Sequence, residues 1–267
     1  MVEIIDTQVQ MDAVHWNELE VMALAGIVAV IADSAPRTSP KPTAQWTLDY
    51  FDRTLNYDSV RAAEFFIDTY VLVGINMHFV PPDYEKIIDA LPRYLSQPKV
   101  VGVGESGLDP KSLSKTGMAT QEEIVRSELK LTKEHGKAAL LHLPWFPAER
   151  APLVERYFEL IDEVKIDPGK VVITHADSSL IKMIVDFGCI AGIAVQPWRK
   201  LTPDDAARML QSIPLDRVVL NCDVGPKLAS DVLGVPKTAL EMRKLGFKEG
   251  EIRKVVYDNP KRVFNLP

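Results

Sequence analysis

The sequence predicts an α/β protein, a single-domain (β/α)8 TIM barrel, and three observations carry that prediction. Eight short runs rich in Val, Ile and Ala alternate with helix-patterned segments from one end of the chain to the other. Four of those runs stop at or just before a side chain suited to chemistry, namely Glu105, His142, His175 and Asp223. A barrel gathers the C-terminal ends of its strands into one mouth, so these residues converge there. No composition shift, low-complexity tract or short-period repeat marks a linker, so residues 1–267 form one domain. An open doubly wound sheet is the architectural alternative, but no glycine-rich fingerprint follows the first strand, which argues against a dinucleotide site.

Taken in order, residues 2–6 (VEIID) form the first strand and 15–24 a helix. Residues 27–32 (IVAVIA) form the second strand. The proline-rich stretch 34–43 then reads as an irregular excursion on the pocket side, a candidate lid. Residues 48–70 are a long helix or a broken pair, with Phe51, Leu55, Ala62, Phe65 and Phe66 on its buried face. The third strand is 71–75, and Pro82-Asp83 opens a helix that runs through Leu95. The fourth strand, 100–103, leaves sharply through the glycines of GVGESGLDP. A helix over 119–135 leads to the fifth strand, 138–142, and a helix over 147–165 to the sixth, 170–174. The seventh strand is 189–195, after a helix at 179–187. Pro203-Asp204-Asp205 opens a helix whose acidic first turn suits its dipole. The eighth strand is 218–221, and helices cover 228–245 and 249–264.

Composition narrows the partners. With 37 acidic against 31 basic side chains the net charge is −6, and no global field favours nucleic acid or an anionic membrane. A small-molecule or phosphoester substrate is the expected partner. No apolar run is long enough to span a bilayer, and nothing at the start resembles a secretion signal. The two cysteines, Cys189 and Cys222, sit beside apolar runs and read as reduced core residues, which suits a cytoplasmic protein. Cys222 alternates with Asp223 and so points away from the mouth.

At the mouth, barrel geometry brings together Asp6, Gln8, Gln10, Asn76, His78, Glu105, His142, His175 and Asp223. Two histidines with one glutamate form a ligand set found in Zn²⁺ hydrolases, where the metal lowers the pKa of bound water to about 7. Glu105, His142 and His175 are therefore the candidate ligands. Asp223 either takes the proton of that water or ligates the metal. His78 is a candidate substrate contact. Arg199 and Lys200, with Trp198 as a stacking face, are candidates for an anionic group, although a solvated loop explains that stretch as well. His15 and His135 lie in helical segments and are read as structural.

The chain resembles the TatD-type branch of the metal-dependent amidohydrolase barrels. GVGESGLDP at 102–110 is similar to that family's glycine–glutamate–x–glycine–leucine–aspartate block, and Gln121, LLHLPW, THAD, LNCDVGP and DNPKRVF follow in the family's order. The resemblance implies a divalent-metal hydrolase, with nucleases and phosphodiesterases among its relatives. It also implies that Glu105 bridges two metals, that His142 and His175 complete one site, and that Asp223 serves the other. The departure is at strand one, where Asp6-Thr7-Gln8-Val9-Gln10 stands in place of an Asp-x-His-x-His block. Glutamine offers only a neutral carbonyl oxygen, a weak ligand for Zn²⁺. One Zn²⁺ per chain is the expectation, and replacing Gln8 and Gln10 together by histidine is expected to rebuild the second site. A catalytically altered barrel that serves as a binding or scaffold protein is the alternative.

Overall fold

Eight parallel strands lie side by side in chain order: β1 (Ile4–Val9), β2 (Ile27–Asp33), β3 (Asp68–Val73), β4 (Val100–Gly107), β5 (Ala138–His142), β6 (Val171–Ile173), β7 (Ile190–Ala194) and β8 (Val218–Asn221). The computed structural model describes residues 2–34, 42–112, 114–144, 147–225 and 231–267. Around the strands run α1 (Trp16–Leu24), α2 (Ala44–Arg53), α3 (Ser59–Ala63), α4 (Glu85–Leu95), α5 (Met118–Glu134), α6 (Pro147–Val164), α7 (Ile181–Phe187), α8 (Pro203–Leu210), α9 (Gly234–Lys244), α10 (Glu249–Arg253) and α11 (Asn259–Val263). This is a single-domain (β/α)8 barrel. Strand alternation splits the core in two. Ile5, Ile31, Leu72, Leu140, Val172 and Val219 fill the ring, with Val263 and Phe264 packed against them. The other strand face packs on the helices, as Val30, Val71, Val103 and Leu220 do, and Cys222 belongs to that layer. Among the described residues, no helix is long and apolar enough to cross a membrane.

The ring is closed differently from the way it is built. Neighbouring strands from β1 to β8 pair by parallel ladders. Between β8 and β1 the ties include the Thr7 hydroxyl donating to the Leu220 carbonyl at 2.8 Å. The Cys222 N–H donates to the Asp6 carboxylate at 3.2 Å, and the Asp223 N–H to the Gln8 carbonyl at 3.1 Å. Asp6 is thus spent on backbone, accepting from the Gln8 N–H as well, and does not join the mouth as the sequence suggested. Burial pushes its carboxyl up to about 7.

Several boundaries moved for physical reasons. β1 runs on to Val9 and β4 to Gly107, so Gln8 and Glu105 lie within strands rather than after them. β4 continues because its glycines allow close approach. A Cβ on Gly102 would lie 2.1 Å from the Ala138 carbonyl oxygen on β5. The segment 48–70, read as a long helix or a broken pair, is the pair: α2 and α3 joined by a π-helical turn, Thr54–Asp58. It stops before Phe66, which takes a left-handed φ of 59° and is 92% exposed, not buried. Tyr70 lies in β3. The candidate lid at 34–43 falls largely outside the described residues.

Candidate metal centre

The centre is assembled from the ends of five strands. Glu105, near the end of β4, is buried, and its backbone N–H donates to the Asp33 carboxylate of β2 at 3.1 Å. Its Oε1 lies 2.8 Å from Nδ1 of His142, the last residue of β5. The same oxygen lies 3.1 Å from Nε2 of His175, two residues past β6. Its Oε2 accepts from Asn76 Nδ2 at 3.4 Å. The two imidazoles meet edge to face, with centroids 4.8 Å apart.

The supports come from the helix layer. Tyr157 of α6 donates its hydroxyl to the His142 carbonyl at 2.5 Å and accepts from the Leu108 N–H at 2.6 Å. Arg150, also of α6, donates to the His175 carbonyl and to Asp177, which steadies a turn where His175 takes a φ of 64°. Glu128 of α5 accepts from the Ile75 N–H at 2.9 Å and from the Ser106 hydroxyl, tying the residue before Asn76 to the residue after Glu105.

Asp223 follows β8 with a φ of 44° and faces His175, its Oδ2 lying 3.9 Å from Nε2. Among the described residues, Gln8 Nε2 at 3.3 Å, Gln196 Nε2 at 3.0 Å and Lys200 Nζ at 3.1 Å reach its carboxylate. Gln8 also donates to Glu105 Oε1 at 2.8 Å, while its carbonyl oxygen accepts from Thr174 Oγ1 at 2.8 Å. The two carboxylates, which can only accept, therefore set the amide with its N–H side toward them, and the Thr174 hydroxyl donates to its other end. In this arrangement the Gln8 nitrogen, and not its carbonyl oxygen, lies on the carboxylates. Gln10 is buried one residue beyond β1, its N–H on the Val224 carbonyl at 2.9 Å.

Ligand atoms of Glu105, His142 and His175 all lie within 4.8 Å of one another, a spacing that one divalent ion can draw together. Burial, and then the Lys200 ammonium, push His175 down to about 4, which keeps its imidazole neutral at physiological pH, as ligation needs. Among the described residues a second group of the same kind is His78, Asp109 and His142, with His78 Nε2 3.3 Å from Asp109 Oδ2. The two groups share His142. A neutral imidazole has one lone pair to give, so they do not both fill at once.

Lys200, Gln196 and Asp109 are the centre's less legible members. The Arg199 and Lys200 N–H groups both donate to the Gln196 carbonyl, at 3.0 and 2.8 Å, and this tight turn swings Lys200 inward. Arg199 is left on the surface, as is Trp198, 66% exposed. The structure brings neither into the cluster. Asp109 was visible as the last residue of the GESGLD run. Its N–H and carbonyl are bracketed by the Gln121 amide at 2.7 and 3.0 Å, which gives Gln121 its place. Cys222 is buried in the helix-facing layer, as its alternation with Asp223 suggested, and both cysteines are free thiols.

Comparison with known proteins places this geometry. The chain is 31% identical over 264 residues to an uncharacterized metal-dependent hydrolase of Methanocaldococcus jannaschii, covering 98% of this chain and all of that protein. Its fold matches a TatD-like protein from Archaeoglobus fulgidus with a TM-score of 0.79 at 22% identity, over 98% of this chain and 99% of that one. It also matches a β-aspartyl dipeptidase of Fervidobacterium islandicum with a TM-score of 0.72 at 18% identity, over 99% and 73%. The family model described as TatD-related DNase matches residues 17–265, and with the relative's identity this establishes that the chain belongs to the TatD-related family of metal-dependent hydrolases.

Proposed function

We propose that the protein hydrolyses a phosphoester, ester or amide bond of a small substrate with one divalent ion, Zn²⁺, held by Glu105, His142 and His175. The observation that carries this reading is the convergence of those three ligand atoms beside the Asp223 carboxylate. When bound, Zn²⁺ supplies Lewis acidity and brings the pKa of a water near about 7. Asp223 would take up the proton at Oδ1, since its carboxylate faces His175 while Gln196 and Lys200 hold Oδ2. Glu105 Oε1, which faces both imidazole nitrogens, would share the ion with them. His78, held by Asp109 on the half-buried side of His142, contacts the substrate.

A barrel of this shape serves a protein described as a dipeptidase as well as TatD-like ones, which keeps an amide among the candidate bonds. The acidic balance favours a small phosphoester over a polynucleotide. Two buried free cysteines support placement in the cytoplasm.

Elemental analysis of the dialysed protein tests the reading, and about one zinc per chain is expected. His175→Ala should lose both the metal and turnover of generic phosphoesters, whereas Asp223→Asn should keep most of the metal and lose turnover. A wild-type chain that retains no metal would overturn the proposal. Equal loss of metal in both variants would show Asp223 to be a principal ligand.

A further inference from the structure

Glu105 and Asp223 are buried carboxylates that both face His175 Nε2, at 3.1 and 3.9 Å, yet they are not equivalent. Glu105 belongs to a group of ligand atoms close enough for an ion, and Asp223 belongs to neither such group among the described residues. What meets Asp223 is nitrogen from the chain. Lys200 Nζ stands 3.1 Å from Oδ2 and 2.8 Å from His175 Nδ1. Gln196 Nε2 is on the same oxygen, and Gln8 Nε2 spans from Asp223 Oδ1 to Glu105 Oε1. An ammonium and two amide nitrogens are donors with no lone pair for a metal. A divalent ion placed on Asp223 would also face a positive charge at contact distance. The arrangement neutralises the carboxylate from within, where the family resemblance implied a second ion.

We propose that Lys200 is a built-in cation, its ammonium standing at Asp223 in place of a second metal, so that the centre works with one metal and one lysine. This rests on Glu105, His142 and His175 holding the first ion. An ion on His175 Nε2 would leave the imidazole proton on Nδ1, so Lys200 would give up its 2.8 Å contact with Nδ1 and keep Asp223 as its partner. The Lys200 side chain is 16% exposed, so the charge reaches the open side of the mouth, where an anionic oxygen of the substrate meets it. The proposal changes what strand one alone can do. Restoring imidazoles at Gln8 and Gln10 supplies ligands but leaves the ammonium in place.

The test counts ions. Wild type and the double variant Gln8→His, Gln10→His should each hold one ion per chain. Adding Lys200→Met, which keeps the stem and removes the charge, should raise the count to two, with the second ion bound at least about tenfold more tightly than in the double variant. Adding Lys200→Arg instead, which keeps the charge, should leave the count at one. In the unaltered protein, saturating Mn²⁺ should give the paramagnetic resonance spectrum of isolated ions. A spin-coupled pair there, or two ions in the double variant, would overturn the proposal, as would a folded Lys200→Met triple variant that stays at one. No ion in any form would overturn the metal reading itself and this inference with it, whereas the other adverse results leave the first ion standing.

Discussion

One oxygen, Glu105 Oε1, faces two imidazole nitrogens and an amide N–H, so its neighbours have to be held still for the site to keep its shape. Tyr157 does much of this for His142. Tyr157→Phe removes the donor to the His142 carbonyl and the acceptor for the Leu108 N–H, leaving two backbone groups unsatisfied in a buried place. We expect a loss of about 1–3 kcal/mol in chemical denaturation, with weaker metal retention as His142 loses its seat. Unchanged stability together with unchanged metal content would show that the hydroxyl is dispensable. At this scale the four chemical residues were readable because each ends or follows an apolar run, a position that needs no knowledge of loops. Lys200 was not. Its inward turn depends on two N–H groups sharing the Gln196 carbonyl, a loop geometry that no periodicity announces.

Among the elements, α5, like α6, sends a core side chain to act on the mouth from behind. Glu128 is fully buried and ties the end of β3 to β4. Burial pushes its carboxyl up to about 7 from an ordinary 4.5. The folded protein therefore holds that proton over the interval in which the unfolded chain releases it, and stability falls as pH rises from about 4.5 to about 7. Glu128→Gln keeps an acceptor for Ile75 and removes the charge. The variant should be more stable than wild type at pH 8, by up to about 3 kcal/mol, and the gain should vanish near pH 4. Thermal melts at the two pH values read this directly, and a gain independent of pH would refute the assignment to Glu128. The limits of β5 and β8 were readable to the residue, because both are continuous apolar runs closed by a polar side chain. The stretch from 48 to 70 was less so. Its apolar spacing runs on past Ala63, where the chain turns through Phe66 with a positive φ that spacing does not record.

For the whole molecule, the eight-fold alternation made the barrel legible, since every run had a helix to cover it. The way its interior is finished was not legible, because Val263 and Phe264 come from the last helix and its end yet pack with residues from β1 to β8. Phe264→Ala should cost about 3–5 kcal/mol, read as a lower denaturant midpoint, with metal content per folded chain unchanged because the centre lies at the other ends of the strands. A cost below about 1 kcal/mol would mean that the interior collapses around the loss. The join between β8 and β1 carries a further consequence. The Asp223 N–H that helps fasten the hoop belongs to the residue that balances the centre's charge, and its acceptor is the carbonyl of Gln8, whose amide lies between the two carboxylates. Clasp and chemistry are therefore one set of atoms, and a substitution that slackens the clasp will mistune the chemistry before it unfolds the hoop.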